Sequence, residues 1–321
     1  MSITTRVAMM AALLAVPIFA VAQTEWVEYP GNPVIQPPVP GDWDAQRYLG
    51  AVIEVDGTYH MYFNGRAGGG GVLYFEIGHA TSSDGVTWVM DPANPVMTLG
   101  DPGQWDAGTL WVGAVIHDDS GFRMWYGGND GQFARAGYAT SPDGFVWAKY
   151  PGNPVMDVGP PGSFDEQWVL PDTVIVRAGH YQMWYWAAGS GVWRTGHAES
   201  DDGLSWAKNP WPVIDSGWGS EVLFDGLFYG MWYAVGSEAW AAIFYAVSPD
   251  GIAWTPCSSN PVVGVYSALP AVLYDSEDSV YEMWYQGPGY SIRLATSECC
   301  ATVFFDGFES GDTSAWSAMV P

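Results

Sequence analysis

Five short segments share one pattern, aromatic-x-Met-aromatic-aromatic: YHMYF at 59–63, FRMWY at 122–126, YQMWY at 181–185, YGMWY at 229–233 and YEMWY at 281–285. Their methionines (Met61, Met124, Met183, Met231 and Met283) lie 48 to 63 residues apart. That period is too long for a helical solenoid and suits a four-stranded propeller blade with loops. A second motif, S-x-D-G-x-x-W, occurs four times, beginning at Ser82, Ser141, Ser200 and Ser248. The segment that follows it, ending in N-P-V or a variant, occurs five times, and its extra copy is WVEYPGNPVI at Trp26–Ile35.

Within one repeat the strands read VGAVIHDD (Val112–Asp119), FRMWYGG, RAGYATS (Arg135–Ser141) and, after the turn, VWAKY. Asp-Gly favours a two-residue type I′ hairpin, in which both central residues take positive φ. The turn aspartates Asp84, Asp143, Asp202 and Asp250 are read as structural, and Trp88, Trp147, Trp206 and Trp254 as packing between blades. The last repeat stops after its third strand, near Glu298. The unequal counts then have one explanation. The N-terminal copy supplies the missing fourth strand, so no turn precedes it and no sheet edge stays open. The expectation is an all-β, five-bladed β-propeller closed by its N-terminal strand, over residues 23–298.

Arg6, an apolar run from Val7 to Val21 and the small-x-small Ala20-Val21-Ala22 read as a secretory signal over residues 1–22, which predicts export to the periplasm or medium of a bacterium. Residues 299–321 fall outside the repeats. The formal charge of −25 repels nucleic acid and anionic membranes. It leaves room for a structural calcium ion or a neutral polar ligand; no other cofactor or metal is expected, and the chain is read as a monomer. No later run is apolar enough to span a bilayer. Of three cysteines, Cys257 can pair with either Cys299 or Cys300.

The long loops entering each repeat lie on the face opposite the S-x-D-G turns, and loops on a rigid scaffold carry function. Their acids are Asp42 and Asp44 (beside Arg47), Asp106, Asp165, Glu166, Asp172 and Glu221. The aromatic and basic residues of these loops and of the loops between the second and third strands of each repeat, Arg47, Arg66, Trp105, Trp111, Trp168, Trp193, Arg194, Trp240 and Tyr290, suit sugar rings and hydroxyls. An aromatic-Asp pair recurs at 43–44, 105–106 and 164–165, so Asp44, Asp106 and Asp165 also admit an architectural role. Asp172 and Glu221 have no counterparts in the other repeats. His79 and His197, at equivalent strand positions, read as packed core groups.

The turn is similar to the Asp box of sialidase propellers, one residue shorter. The five M-W-Y strands, S-x-D-G-x-x-W turns and N-P-V ends together resemble the five-bladed glycoside hydrolase superfamily of arabinanases and xylosidases, invertases and levansucrases, and mannoside phosphorylases. The likeness spans Gln23 to about Glu298. It implies carboxylate acid/base chemistry at the channel mouth on an oligo- or polysaccharide, or, without turnover, a glycan-binding propeller. WVLPD, Trp168–Asp172, is similar to the arabinanase W-A-P-D motif. The resemblance makes Asp172 the residue that tunes the acid, Glu221 the acid and Asp106 the base, with Asp44 next in line. An inverting site would hold Asp106 and Glu221 about 6.5–9.5 Å apart. At the family's D-P-S-I position the first two repeats read LGAV and VGAV. The tail from Phe304 resembles short C-terminal tails of diverse secreted bacterial proteins.

Overall fold

The computed structural model describes residues 25–66, 74–237 and 240–298. The signal segment, most of the RAGGGG loop, Cys299, Cys300 and the C-terminal tail lie outside the described residues, and the cysteine pairing lies there with them. Cys257 is half-buried.

Among the described residues twenty strands form five antiparallel four-stranded blades, of which blades 2 and 3 are joined into one eight-stranded sheet by a parallel bridge between Trp168 and Ala134. Blade 1 contains β2 (Gln46–Val55), β3 (Thr58–Arg66), β4 (Glu76–Ser82) and β5 (Val89–Met90). Blade 2 contains β6 (Thr109–Asp118), β7 (Gly121–Asn129), β8 (Ala134–Ser141) and β9 (Ala148–Lys149). Blade 3 contains β10 (Trp168–Arg177), β11 (His180–Gly189), β12 (Val192–Ser200) and β13 (Ala207–Lys208). Blade 4 contains β14 (Trp218–Phe224), β15 (Tyr229–Val235), β16 (Ala242–Ser248) and β17 (Thr255–Pro256). Blade 5 is ordered β18 (Ala268–Asp275), β19 (Val280–Gln286), β20 (Ile292–Glu298) and then β1 (Val27–Glu28), from the other end of the chain. The first strands of successive blades are neighbours in the cyclic order β2, β6, β10, β14, β18 and back to β2. Apolar clusters fill the spaces between successive blades, and one of them joins Val52 and Met61 of blade 1 to Trp284 and Leu294 of blade 5.

Three repeated devices hold the blades. In the turns, one carboxylate oxygen of Asp84, Asp143, Asp202 or Asp250 accepts the serine hydroxyl two residues before it and the amides two and three residues after it. Only the glycine is left-handed there (Gly85, Gly144, Gly203, Gly251). The expected type I′ hairpin is thus replaced by a longer loop wound around the aspartate, which needs one positive φ rather than two. Each glycine carbonyl accepts its own turn's indole N–H, from Trp88, Trp147, Trp206 or Trp254. The same carbonyl also latches the preceding blade. Trp125 donates to Gly203, Trp184 to Gly251, Trp284 to Gly85, and the Tyr62 hydroxyl to Gly144.

The third device is the N-P-V asparagine. Asn94, Asn153 and Asn260 each pair, through both side-chain atoms, with the backbone of one strand residue: His79, Tyr138 and Tyr245. Asn32 makes the same pair with Leu294, from 262 residues away. Val27 and Glu28 lie opposite Thr296 and Ala295, and Ile35 bridges Ile292. Trp26 takes an edge-on position against Trp232 of blade 4, 6.3 Å between centroids. His79 and His197 are buried, as expected from their positions.

Candidate functional site

The innermost strand of every blade has an irregular register just before a valine that faces the repeat methionine: Val52, Val115, Val174, Val222 and Val272 opposite Met61, Met124, Met183, Met231 and Met283. The two residues before that valine are Gly50-Ala51, Gly113-Ala114, Asp172-Thr173, Ser220-Glu221 and Pro270-Ala271. In blades 1 and 2 the strands approach too closely for a side chain. A Cβ on Gly50 would lie 2.3 Å from the Val112 Cβ, and one on Gly113 would lie 2.5 Å from the Pro171 carbonyl oxygen. Blades 3 and 4 instead place four polar side chains at these positions. A cavity of about 30 Å³, room for water but not for a sugar ring, is lined by Asn64, Trp111, Asp172, Trp186, Glu221 and residues of all five inner strands.

Asp172 accepts both the amide and the hydroxyl of Ser220, each at 3.0 Å. Burial nevertheless pushes its carboxyl up to about 7, with those two bonds pulling the other way. Glu221 goes up to about 8, first through burial and then through the nearby Asp172 charge, while Thr173 opposes the rise. The Thr173 hydroxyl has one proton and faces two acceptors, the Ser220 carbonyl at 2.9 Å and Glu221 Oε1 at 3.3 Å. It also accepts the Val222 amide at 3.1 Å. Burial thus outweighs the Thr173 contact and favours a protonated Glu221 near neutral pH. Thr173 and Ser220 were not singled out from the sequence. Their signal was present in the same two repeats, where a hydroxyl replaces alanine or glycine.

Residues 50–168 match the family described as Glycosyl hydrolases family 32 N-terminal domain, a stretch that ends before Asp172. Uncharacterized protein Rv1502 of Mycobacterium tuberculosis is 29% identical over 191 residues, 57% of this chain. The chain spans 61% of the length of that relative. Among solved structures, a thermostable family-43 glycoside hydrolase superposes with a TM-score of 0.61 at 17% identity, over 81% of this chain and 90% of its own. Zg3597, a family 117 glycoside hydrolase of the marine bacterium Zobellia galactanivorans, gives 0.64 at 17% identity, over 86% and 90%. Fructan 1-exohydrolase IIa from Cichorium intybus gives 0.60 at 17% identity, over 85% and 57%. The fold is that of the five-bladed propeller glycoside hydrolases.

In this propeller the repeated aspartates serve the scaffold. Asp106 is buried, 2.6 Å from Lys149 Nζ, and accepts the Tyr126 hydroxyl at 3.3 Å. Asp165 repeats both contacts with Lys208 and Tyr185 at the same distances. Asp44 and Arg47 consume each other in a buried two-pronged pair, with contacts of 2.5 and 3.0 Å. Neither Asp106 nor Asp44 lines the cavity that holds Asp172 and Glu221. Their carboxylates are neutralised by lysine or arginine instead. Trp105 also packs inward, where a Cβ on Gly128 or Gly137 would sit 2.4 or 2.6 Å from its ring.

The other expected binding residues make the following contacts. Trp111 lines the cavity and meets Trp186 edge-on at 6.2 Å. Trp168 and Trp193 pack on Trp186 and on each other at 4.5 to 5.9 Å. Tyr290 meets Tyr48, which in turn meets Trp111. Arg66 lies over the Phe75 ring, 5.6 Å from its centroid, and Arg194 is 3.9 Å from Asp215. Trp240 is exposed at the rim. Among the described residues no three His, Cys, Asp or Glu side chains are grouped to hold a metal ion, and no helix is long and apolar enough to cross a membrane.

Proposed function

We propose that this chain is an exported carbohydrate-active propeller whose ring is closed by its N-terminal strand, and that it hydrolyses a glycoside with Glu221 as the proton donor. The observation that carries this reading is the pair of acids at the axis of blades 3 and 4. Below about 8 Glu221 holds a proton in the cavity that Trp111 and Trp186 line, and departure of a sugar oxygen needs such a donor. Burial is what keeps that proton on, and the Asp172 charge adds to it. Trp111, Trp168, Trp193, Trp240 and Tyr290 present ring faces to sugar, with Arg66 and Arg194 beside them. The negative surface selects a neutral ligand over nucleic acid or an acidic polymer.

A second reading is a glycan-binding propeller without turnover. It is favoured by Asp106, which is paired with Lys149 rather than set across the cavity as a base. Both readings are separated by screening the protein on aryl glycosides and neutral polysaccharides and repeating any positive assay with Glu221→Gln. The hydrolase reading requires turnover that falls by about two to four orders of magnitude while binding persists. Binding with no turnover in the parent establishes the second reading, and full activity in Glu221→Gln removes Glu221 from the mechanism.

A further inference from the structure

At the rim of blade 4 two aromatic rings stand in solvent. Trp240 is 63% exposed and Tyr266 is 46% exposed, yet their centroids lie 5.3 Å apart. They come from different loops, one between β15 and β16 and the other between β17 and β18. The residue after each is buried, and these two, Ala241 and Ser267, are joined by a backbone hydrogen bond of 3.1 Å. The Ser267 hydroxyl in turn donates to the Gly264 carbonyl at 2.5 Å. The rings are thus fixed side by side by a buried anchor rather than by their own burial. Tyr266 also has φ of +68°, a left-handed conformation that a bulky side chain adopts only when its surroundings impose it.

The pair is continuous with the acid site. Ala241 and Ala268 belong to the cluster that contains Trp186, Trp218 and Leu170, with Trp111 and Trp168 packed on it. Trp186 and Leu170 line the cavity beside Asp172 and Glu221, and Trp193, 37% exposed, packs on Trp186. Exposed aromatic rings therefore sit on the same two blades that carry the acids: Trp193 on blade 3, and the Trp240–Tyr266 pair at blade 4 and its junction with blade 5.

Resting on the carbohydrate reading above, we infer that the ligand is a neutral glycan chain of several sugar units, with Trp240 and Tyr266 forming a stacking platform that grips it away from Glu221. Sugar C–H faces stack on indole and phenol rings, and a platform separated from the proton donor serves only a ligand that reaches both. The acidic surface repels an anionic polymer.

The test is affinity electrophoresis and calorimetry with soluble arabinan, arabinoxylan, galactan and inulin and with their monosaccharides, using the parent, Trp240→Ala, Tyr266→Gly and Glu221→Gln. The expected result is that the parent binds at least one polymer, and that Trp240→Ala and Tyr266→Gly each weaken it about tenfold or more. Tyr266→Gly should do so without lowering the melting temperature, because glycine takes that φ freely. Loss of binding together with a lower melting temperature in both variants would assign the rings to the fold and overturn the inference. A parent that binds or cleaves a glycan with unchanged affinity in both variants overturns the platform and leaves the carbohydrate reading standing. A parent that binds none of the polymers or monosaccharides and turns over no glycoside overturns both.

Discussion

Asp106 and Asp165 on one side, and Asp172 and Glu221 on the other, are acids of neighbouring segments in opposite circumstances. The first two have a lysine at 2.6 Å and a tyrosine hydroxyl at 3.3 Å, in matching positions of two blades. The second two form no ion pair among the described residues, are held by hydroxyls and amides, and are pushed toward their neutral forms. An interaction repeated from blade to blade is a solution to packing, because each blade poses the same packing problem. A side chain that breaks the repeat where glycine or alanine would suffice costs desolvation, and it calls for another explanation.

If that division holds, changes to repeated features should reduce stability and changes to unrepeated ones should alter chemistry. The largest expected effect is deletion of residues 25–35. It removes Asn32, Ile35 and β1 together and leaves β20 as an open edge, so the shortened chain should aggregate or lose its cooperative melt. Equal solubility and heat resistance would break the account of why the chain begins with a fifth copy.

Asp106→Ala leaves the Lys149 ammonium without its partner. Because Lys149 keeps some contact with water, the cost should fall at or below the low end for a broken buried pair, about 2–3 kcal/mol by chemical denaturation. Turnover, where the parent shows it, should be unchanged.

The pH dependence of stability has a defined sign. Between the ordinary carboxyl range, near 4, and the raised values of about 7 and 8, the native state binds more protons at Asp172 and Glu221 than the unfolded chain does. These two groups therefore favour the fold at acidic pH, and that contribution is lost as pH rises from about 4.5 to about 8, then levels off. Glu221→Gln should flatten the upper part of the decline. The smallest effect is that of Tyr62→Phe, which removes one hydroxyl bond to Gly144 with little change of shape and should cost on the order of 1 kcal/mol.

Much of the scaffold was legible in the sequence because its devices are local and repeated. The turn aspartates, turn tryptophans and five Met strands each announce themselves by recurrence. Pairing between chain ends was legible too, since Asn32 and Ile35 sit in the same motif as Asn94, Asn153 and Asn260. The site was only half legible. Asp172 and Glu221 stood out as unrepeated acids, but the partners that set their protonation, Thr173 and Ser220, are residue types common in strands. The fate of Asp106 could not be read from its loop. Its neutralising lysine lies 43 positions later, on an outer strand whose lysine also had to be recognised as part of the repeat. Trp240 was found from its place on a loop between two strands of its repeat, whereas its partner Tyr266 required the bond between Ala241 and Ser267 to be seen.

The central claim is that Glu221 carries a proton at neutral pH, and it can be measured without knowing the sugar. Side-chain carboxyl carbons of a ¹³C-labelled sample are followed by NMR from pH 4 to 9, with Glu221→Gln to assign the signal and Asp106→Ala as a control. The account predicts one glutamate carboxyl that is still protonated at pH 7 and titrates near 8, absent from Glu221→Gln and unmoved in Asp106→Ala. A parent in which every glutamate carboxyl is ionised by pH 6 would contradict it.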